Sequence, residues 1–372
     1  MSERLLTIIG ASTRAAAQSA RRAFFAPIAG DLFADLDLLE TCPATHVDDY
    51  PRGLEQVLRG PQSGGWMYTG ALENYPDLIE GWSAIRPLYG NGAPVLRRVR
   101  DPLLIAECLR SADLPFLPVV PSSESLPQDG SWLCKPMRSA AGNRIERWTR
   151  EAAADSRPYP TYFQQFNEGT PCSAVYVAAE GDAKLLGVTR QLLEEPSFRY
   201  LGSIGPMPLD ETTREQFCAL GQTLAAEFQL VGLFGVDAVL NSDGIWPVEI
   251  NPRYTASVEV LERALGIHFI AMHVTACRER TLPTTLPSVA DRIVGKAIHF
   301  AEEDCTIKLD LRATFNALAD IPAIGTQIHK RSPVATVFAE GNSDAEVQQS
   351  LQTQLENLRN ALAEFRDAPP SP

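Results

Sequence analysis

Residues 235–266 read GVDAVLNSDGIWPVEINPRYTASVEVLERALG, an acidic and polar set inside what is otherwise an apolar hairpin. Val236, Ala238 and Leu240 alternate with Asp237 and Val239, and Val248 and Ile250 alternate with Glu249 and Asn251. That period of two predicts paired strands with two different faces, and it puts Glu249 and Asn251 on one of them. Whether Asp237 joins them depends on the turn. A three-residue loop Ser242-Asp243-Gly244, with Gly244 in the left-handed position, pairs Asn241 with Ile245 and sets Asp237 opposite Glu249; a two-residue loop Asp243-Gly244 opposes Asp237 to Ile250. The odd-length turn is the expectation. Opposed carboxylates on one face repel each other, so the arrangement calls for a cation. Two carboxylates and an amide form an oxygen-only set that suits Mg2+, which keeps waters or phosphate oxygens in its shell. Solvated strand residues would give the same letters, but the density of apolar neighbours implies burial.

The chain around this hairpin is long enough for several cores. At 372 residues it fits two or three domains of about 150 residues each, and 45% of it is hydrophobic. Lys and Arg number 33 against 46 Asp and Glu, a net charge of −13. That balance argues against nucleic acid as a partner and leaves a small molecule or nucleotide, for which a few local cations suffice. The seven cysteines stand singly, with no Cys-x-x-Cys pair, which argues against a disulfide framework or a zinc site and for a reducing cytoplasm. No run of about 18 apolar residues occurs and the start MSERLLTIIG lacks the order of a signal peptide. A soluble, cytoplasmic protein without membrane contact is expected.

Residues 5–9 predict a buried strand, followed by a turn with the single glycine Gly10 and an Ala-rich helix through Phe25; a second strand at 28–32 closes a Rossmann-like parallel unit. One glycine is not a dinucleotide fingerprint. Ser12 or Thr13 is expected to cap the helix, although the amides there could also hold a carboxylate or phosphate. After a further strand at 66–70, the Gly- and Pro-rich LYGNGAP at 88–94 marks a first domain boundary. A helix over 100–114 and a strand over 116–120 lead to Trp132-Leu133-Cys134-Lys135-Pro136, a strand carrying one lysine among apolar neighbours, which needs a partner or an anionic ligand. Residues 138–144, RSAAGNR, form a small-residue loop with two cations, suited to cover phosphates. Antiparallel strands are expected at 173–178 and 187–193, an amphipathic helix at 217–228, a helix at 255–265, and strands at 296–301, 326–330 and 335–339. A terminal helix over 344–365 and a disordered APPSP tail end the chain. His268 and His273 do not share a helical face and are assigned to packing rather than ligation.

These segments resemble the ATP-grasp ligases. The match lies in GVDAVLNSDGIWPVEINPRYTAS, where that family carries an acidic residue on one strand and Glu-x-Asn-Pro-Arg on the next, and it extends to WLCKP, RSAAGNR and FQQFNEGTPCSAVYVA, over about 97–276. The resemblance implies an α/β (α+β) ATP-grasp fold. Its parts would be an N-terminal Rossmann-like domain at 1–94, a small antiparallel subdomain at 95–184, and a large subdomain with C-terminal strands and helix at 185–372. Carried over position by position, Lys135 would contact ATP phosphates, with Arg100 standing where many members have a first phosphate lysine and Ser139 in the phosphate loop. Gln164, Gln165, Phe166 and Glu168 would receive adenine and ribose, Gln164-Gln165 replacing the family's usual hinge Glu. Asp237, Glu249 and Asn251 would hold Mg2+, with Mn2+ as a substitute, and Arg253 together with Lys135 would act in catalysis by stabilising charge during transfer.

The implied activity is an ADP-forming ligase joining a small carboxylate to an amine through an acylphosphate, and a homodimer is compatible with it. Within the family, YTGALENYP, LLGVTRQLL and FRYLGSIGP look most like the branch containing the tyramine-glutamate ligase of methanofuran biosynthesis. That likeness implies a one-carbon carrier cofactor, methanofuran-like or pterin, as product class. Two other readings use the same residues: a bicarbonate-dependent carboxylase, and a nucleotide-binding regulator without catalysis.

Overall fold

The computed structural model describes residues 4–61, 64–154, 157–285 and 292–364; the expected APPSP tail lies outside them. Four parallel strands open the chain, β1 (Arg4–Gly10), β2 (Phe25–Asp31), β3 (Ala44–His46) and β4 (Gly65–Tyr68), in the order β3-β2-β1-β4. The apolar runs of β1, β2 and β4 are buried almost throughout, as expected of parallel strands covered on both faces. The Ala-rich helix Arg14–Arg22 ends three residues before the expected Phe25, because Phe25 pairs with Arg4 and starts β2. Sheet pairing overrides helix propensity there. Thr13 does not cap the helix with its side chain; its N–H and Oγ1 both donate to Asp31 Oδ2, at 2.6 and 2.7 Å. The anion held at this helix start is therefore the chain's own carboxylate.

A small antiparallel sheet follows, built from β5 (Val119–Val120), β6 (Asp129–Pro136), β7 (Glu146–Thr149) and β8 (Thr161–Gln165), in the order β5-β8-β6-β7. The strand expected at 116–120 shrinks to two residues; Pro118 has no N–H to give a ladder. Cys134, Trp148, Ala152 and Phe163 form this sheet's own core, so the alternation along β6 sends Lys135 to the opposite face.

The remaining strands are β9 (Thr170–Ala179), β10 (Asp182–Glu194), β11 (Arg199–Gly205), β12 (Gly232–Asn241), β13 (Gly244–Asn251), β14 (Ile293–Phe300), β15 (Cys305–Thr306), β16 (Leu318–Ala319), β17 (Gln327–Ile328) and β18 (Pro333–Gly341). Eight of them form one antiparallel sheet, ordered β13-β12-β9-β10-β11-β14-β18-β16, while β15 pairs with β17. The expected division at 184/185 falls inside the continuous strand β10, and the change of sheet comes at residues 166–169.

Alternation along β9 feeds two cores. Ala174, Tyr176 and Ala178 pack with the helix Glu211–Phe228. Val175 and Val177 pack with the helices Ala256–Leu265 and Phe269–Glu279 and, beyond them, with Leu6, Ile8 and Met67 of the first sheet. Arg14, 2% exposed, reinforces this junction. It pairs with Glu259 and lies 3.0 Å from Asp320. Among the described residues no single helix is long and apolar enough to cross a membrane.

His273 is a buried structural residue. Its Nδ1 accepts the Leu233 N–H at 2.8 Å and its Nε2 contacts the Tyr89 carbonyl at 3.0 Å, which fixes the neutral tautomer. Burial lowers its pKa from the ordinary 6.5 to about 4. The unfolded chain binds this proton more readily between those values, so the contribution of His273 to stability is lost as pH falls through the window, by about 2 kcal/mol near pH 4.5. Glu262, which burial pushes up to about 7, acts in the opposite sense. Comparison with His273→Gln isolates the imidazole: the stability difference between the two proteins, measured by denaturant titration, should shrink steadily from pH 6.5 to 4.5.

Candidate functional site

The hairpin closes by a different route from the one expected. Asn241 pairs with Gly244 and Leu240 with Ile245, so the loop is Ser242-Asp243, two residues long. Asn241 Oδ1 accepts the Asp243 N–H at 3.0 Å and the Trp246 Nε1–H at 3.1 Å, a local turn that an Asx residue favours. Continued regularly, this register would oppose Asp237 to Val248. Instead Ala238 faces Pro247 and Asp237 faces Glu249, with a register shift between them. Val248 is the extra residue of a β-bulge, next to a proline that cannot donate to the ladder. The opposition of the two carboxylates, expected from an odd turn, is thus produced by an even turn plus a bulge. Val236, Ala238 and Ile250 point into the core against the helix Glu211–Phe228, so Asp237, Glu249 and Asn251 share the other face.

Around the pair the polar groups interlock. Asp237 accepts from Gln191 Nε2 at 3.0 Å and from Asn251 Nδ2 at 2.9 Å. Burial, and then the charge of Glu249, push its carboxyl up to about 6. Burial acts on Glu249 in the same direction, but the cations of Arg100 and Lys135 outweigh it and hold that carboxyl below its ordinary range. Arg100 forms a close ion pair with Glu249 and reaches Asn74 Oδ1 at 3.3 Å and the Ser139 carbonyl at 3.5 Å. Lys135, 4% exposed, donates to Gln164 Oε1 at 3.0 Å and to the Val248 carbonyl, released by the bulge, at 3.4 Å. Arg253 pairs with Glu73 at 2.7 Å and with Asn251 Oδ1 at 3.0 Å. A narrow cleft lies beside the cluster; Arg100, Ser139, Gln164 and Glu249 line its polar side and Ile105, Leu109 and Leu117 its apolar wall.

The structure brings Arg100, Lys135, Ser139, Gln164, Asp237, Glu249, Asn251 and Arg253 together. Gln165 and Glu168 are exposed, and Phe166 packs against Phe198 with the Arg147 guanidinium over its ring. Loop 138–144 is docked: the Ala141 carbonyl accepts the Tyr200 N–H at 3.0 Å, and Ser139 presents its carbonyl to Asn74. None of Glu73, Asn74 and Gln191 was assigned a role in the sequence; the signal was that Glu73 and Asn74 lie in the YTGALENYP segment and Gln191 in LLGVTRQLL. As donors, two opposed half-buried carboxylates, one of them raised by burial and by the other's charge, fit a hard divalent cation. Asn251 spends both amide atoms on Asp237 and Arg253. Among the described residues no group of three or more His, Cys, Asp or Glu side chains could hold a metal, so such an ion would take its remaining oxygens from phosphate and water.

Residues 99–257 match the family model of the ATP-grasp domain. The C-terminal section of the carbamoyl phosphate synthase large chain of Aquifex aeolicus is 22% identical over 162 residues, 43% of this chain and 30% of that protein. The corresponding large chain of Thermotoga neapolitana is 26% identical over 145 residues, 38% and 13%. The chain thus spans less than a third of these curated relatives. Among solved structures, an L-amino acid ligase from Bacillus licheniformis superposes with a TM-score of 0.73 at 15% identity, covering 95% of this chain and 97% of that one. N5-carboxyaminoimidazole synthetase from Staphylococcus aureus complexed with ADP gives 0.71 at 16%, covering 95% and 97%. The fold is that of the ATP-grasp proteins, and the domain match supports a place in that superfamily.

Gly142 makes the docking of loop 138–144 testable. Its φ is +75°, and a Cβ there would sit 2.0 Å from the Phe198 carbonyl oxygen. Gly142→Ala should lift the loop from the start of β11 and the turn before it, cost about 1–2 kcal/mol in denaturant titration, and speed amide exchange at 138–144 while β12 and β13 stay protected.

Proposed function

We propose that this chain, with its ATP-grasp fold, is an ADP-forming ligase that joins a small-molecule carboxylate to an amine through an acylphosphate. The observation that carries this reading is the half-buried Asp237–Glu249 opposition ringed by Arg100, Lys135 and Arg253. A phosphoryl-transfer site needs such a set of fixed cations and hard-cation ligands, because catalysis there is positioning and charge neutralisation. In this reading the nucleotide would open the adjoining cleft, with its base against the apolar wall from the helix Pro102–Ser111 and its phosphates towards Lys135, Arg100 and the Ser139 loop.

Asp237 and Glu249 would hold Mg2+. When bound, Mg2+ neutralises phosphate charge and polarises the transferred group. Glu249 would then exchange its Arg100 partner for the ion or share it, freeing a guanidinium for the nucleotide. A carboxylate is a poor electrophile; phosphorylated by ATP, it becomes one that an amine attacks with loss of phosphate. Lys135 and Arg253 hold the developing negative charge, and no nucleophilic side chain is required. Within this class the three segments YTGALENYP, LLGVTRQLL and FRYLGSIGP favour an acid and amine of the tyramine-glutamate kind, in the assembly of a one-carbon carrier.

With candidate acids and amines, MgATP should yield ADP and phosphate in step with amide formation, measured by coupled assay and mass spectrometry. AMP and pyrophosphate would overturn the mechanism, and ADP release that depends on bicarbonate instead of an amine acceptor would reassign the chain to carboxylation. Glu249→Gln should lower turnover at least 100-fold with little change in thermal midpoint. Near-normal activity in that variant would remove Glu249 from the metal site.

A further inference from the structure

Two adjacent residues of the first domain reach both halves of the site, although neither lies on the hairpin or in the phosphate loop. Glu73 and Asn74 sit on the short turn Leu72–Asn74 after β4, 2% and 8% exposed. Glu73 Oε1 accepts from Arg253 Nη2 at 2.7 Å, and the same Nη2 donates to Asn251 Oδ1, whose amide nitrogen donates to Asp237. Asn74 Nδ2 donates to the Ser139 carbonyl at 3.0 Å, and Asn74 Oδ1 accepts from Arg100, the partner of Glu249. One turn thus leads by two separate chains of hydrogen bonds to the two carboxylates. Glu73 Oε2 and Arg253 Nε are both buried without a partner, so the ion pair is held by one edge of each group.

Building on the proposed function, we propose that Glu73 and Asn74 are a pair of positioning residues with divided tasks. Glu73 orients Arg253 and neutralises it until an anionic group arrives, and Asn74 pins the phosphate loop through Ser139. Neither need touch a reacting atom. A buried cation deprived of its counter-ion attracts any anion more strongly, whereas a loop deprived of one hydrogen bond holds its ligand less well.

These consequences differ in sign and in ligand. Calorimetric titration with a non-hydrolysable MgATP analogue and with inorganic phosphate, on wild type, Glu73→Gln, Glu73→Asp and Asn74→Ala, reads them separately. Asn74→Ala should weaken the nucleotide analogue about fivefold, the scale of one hydrogen bond, and leave phosphate affinity within about twofold. Glu73→Gln should leave the analogue within about twofold and bind phosphate at least about threefold more tightly, an increase that disappears when Arg253→Ala is added. Glu73→Asp, which keeps the charge, should return phosphate affinity to the wild-type value. Equal effects of Glu73→Gln and Asn74→Ala on both ligands would overturn the division of tasks, as would a phosphate effect that survives the loss of Arg253. Failure of wild type to bind the analogue would sink the proposed function and the Asn74 half, while the phosphate titrations still decide the role of Glu73.

Discussion

Two half-buried carboxylates placed face to face across a strand pair repel each other, and much of the polar architecture follows from that constraint. Each carboxylate is answered differently. Glu249 has Arg100 and Lys135 beside it and stays ionised; Asp237 has neutral donors, Gln191 and Asn251, and is pushed up to about 6. The second cation ring, Arg253 with Glu73, lies one hydrogen bond further out through Asn251. Partners come from the first domain, the small sheet and the large sheet, so the repulsion at the hairpin is balanced only when all three are assembled.

Much of the architecture could be read from the letters. Period-two runs located β12, β13, β9 and β10, and the isolated Lys135 in an apolar strand located the cation that now lies against Gln164 and the bulge. The opposition of Asp237 and Glu249 was also legible, but its cause was not. Turn chemistry pointed to Gly244 as the odd residue, whereas Pro247 interrupts the ladder and shifts the register at Val248. A bulge depends on how one missing N–H is accommodated by the neighbouring strand, and no local pattern reports that.

Glu73, Asn74 and Gln191 were invisible for another reason. Each matters through partners far along the chain: Glu73 through Arg253, Asn74 through Ser139 and Arg100, Gln191 through Asp237. Likewise Thr13, expected to cap its helix, spends its hydroxyl on Asp31. Strand and helix periodicities encode which face is buried; they do not encode which polar atom meets which. Gln165, Phe166 and Glu168 are singled out by the similarity alone; in the folded chain Gln165 and Glu168 are exposed and Phe166 packs against Phe198.

The distribution of apolar cores also sets how the protein should come apart. Leu6, Ile8 and Met67 of the first sheet share one core with Val175, Val177 and Leu233 of the large sheet, and Arg14 bolts the same junction to Glu259 and Asp320. The small sheet keeps a private core of Cys134, Trp148, Ala152 and Phe163. Cooperativity follows shared cores rather than sequence order, so the first sheet and the large sheet form a single melting unit while the small sheet inserted between them, residues 119–165, can open by itself.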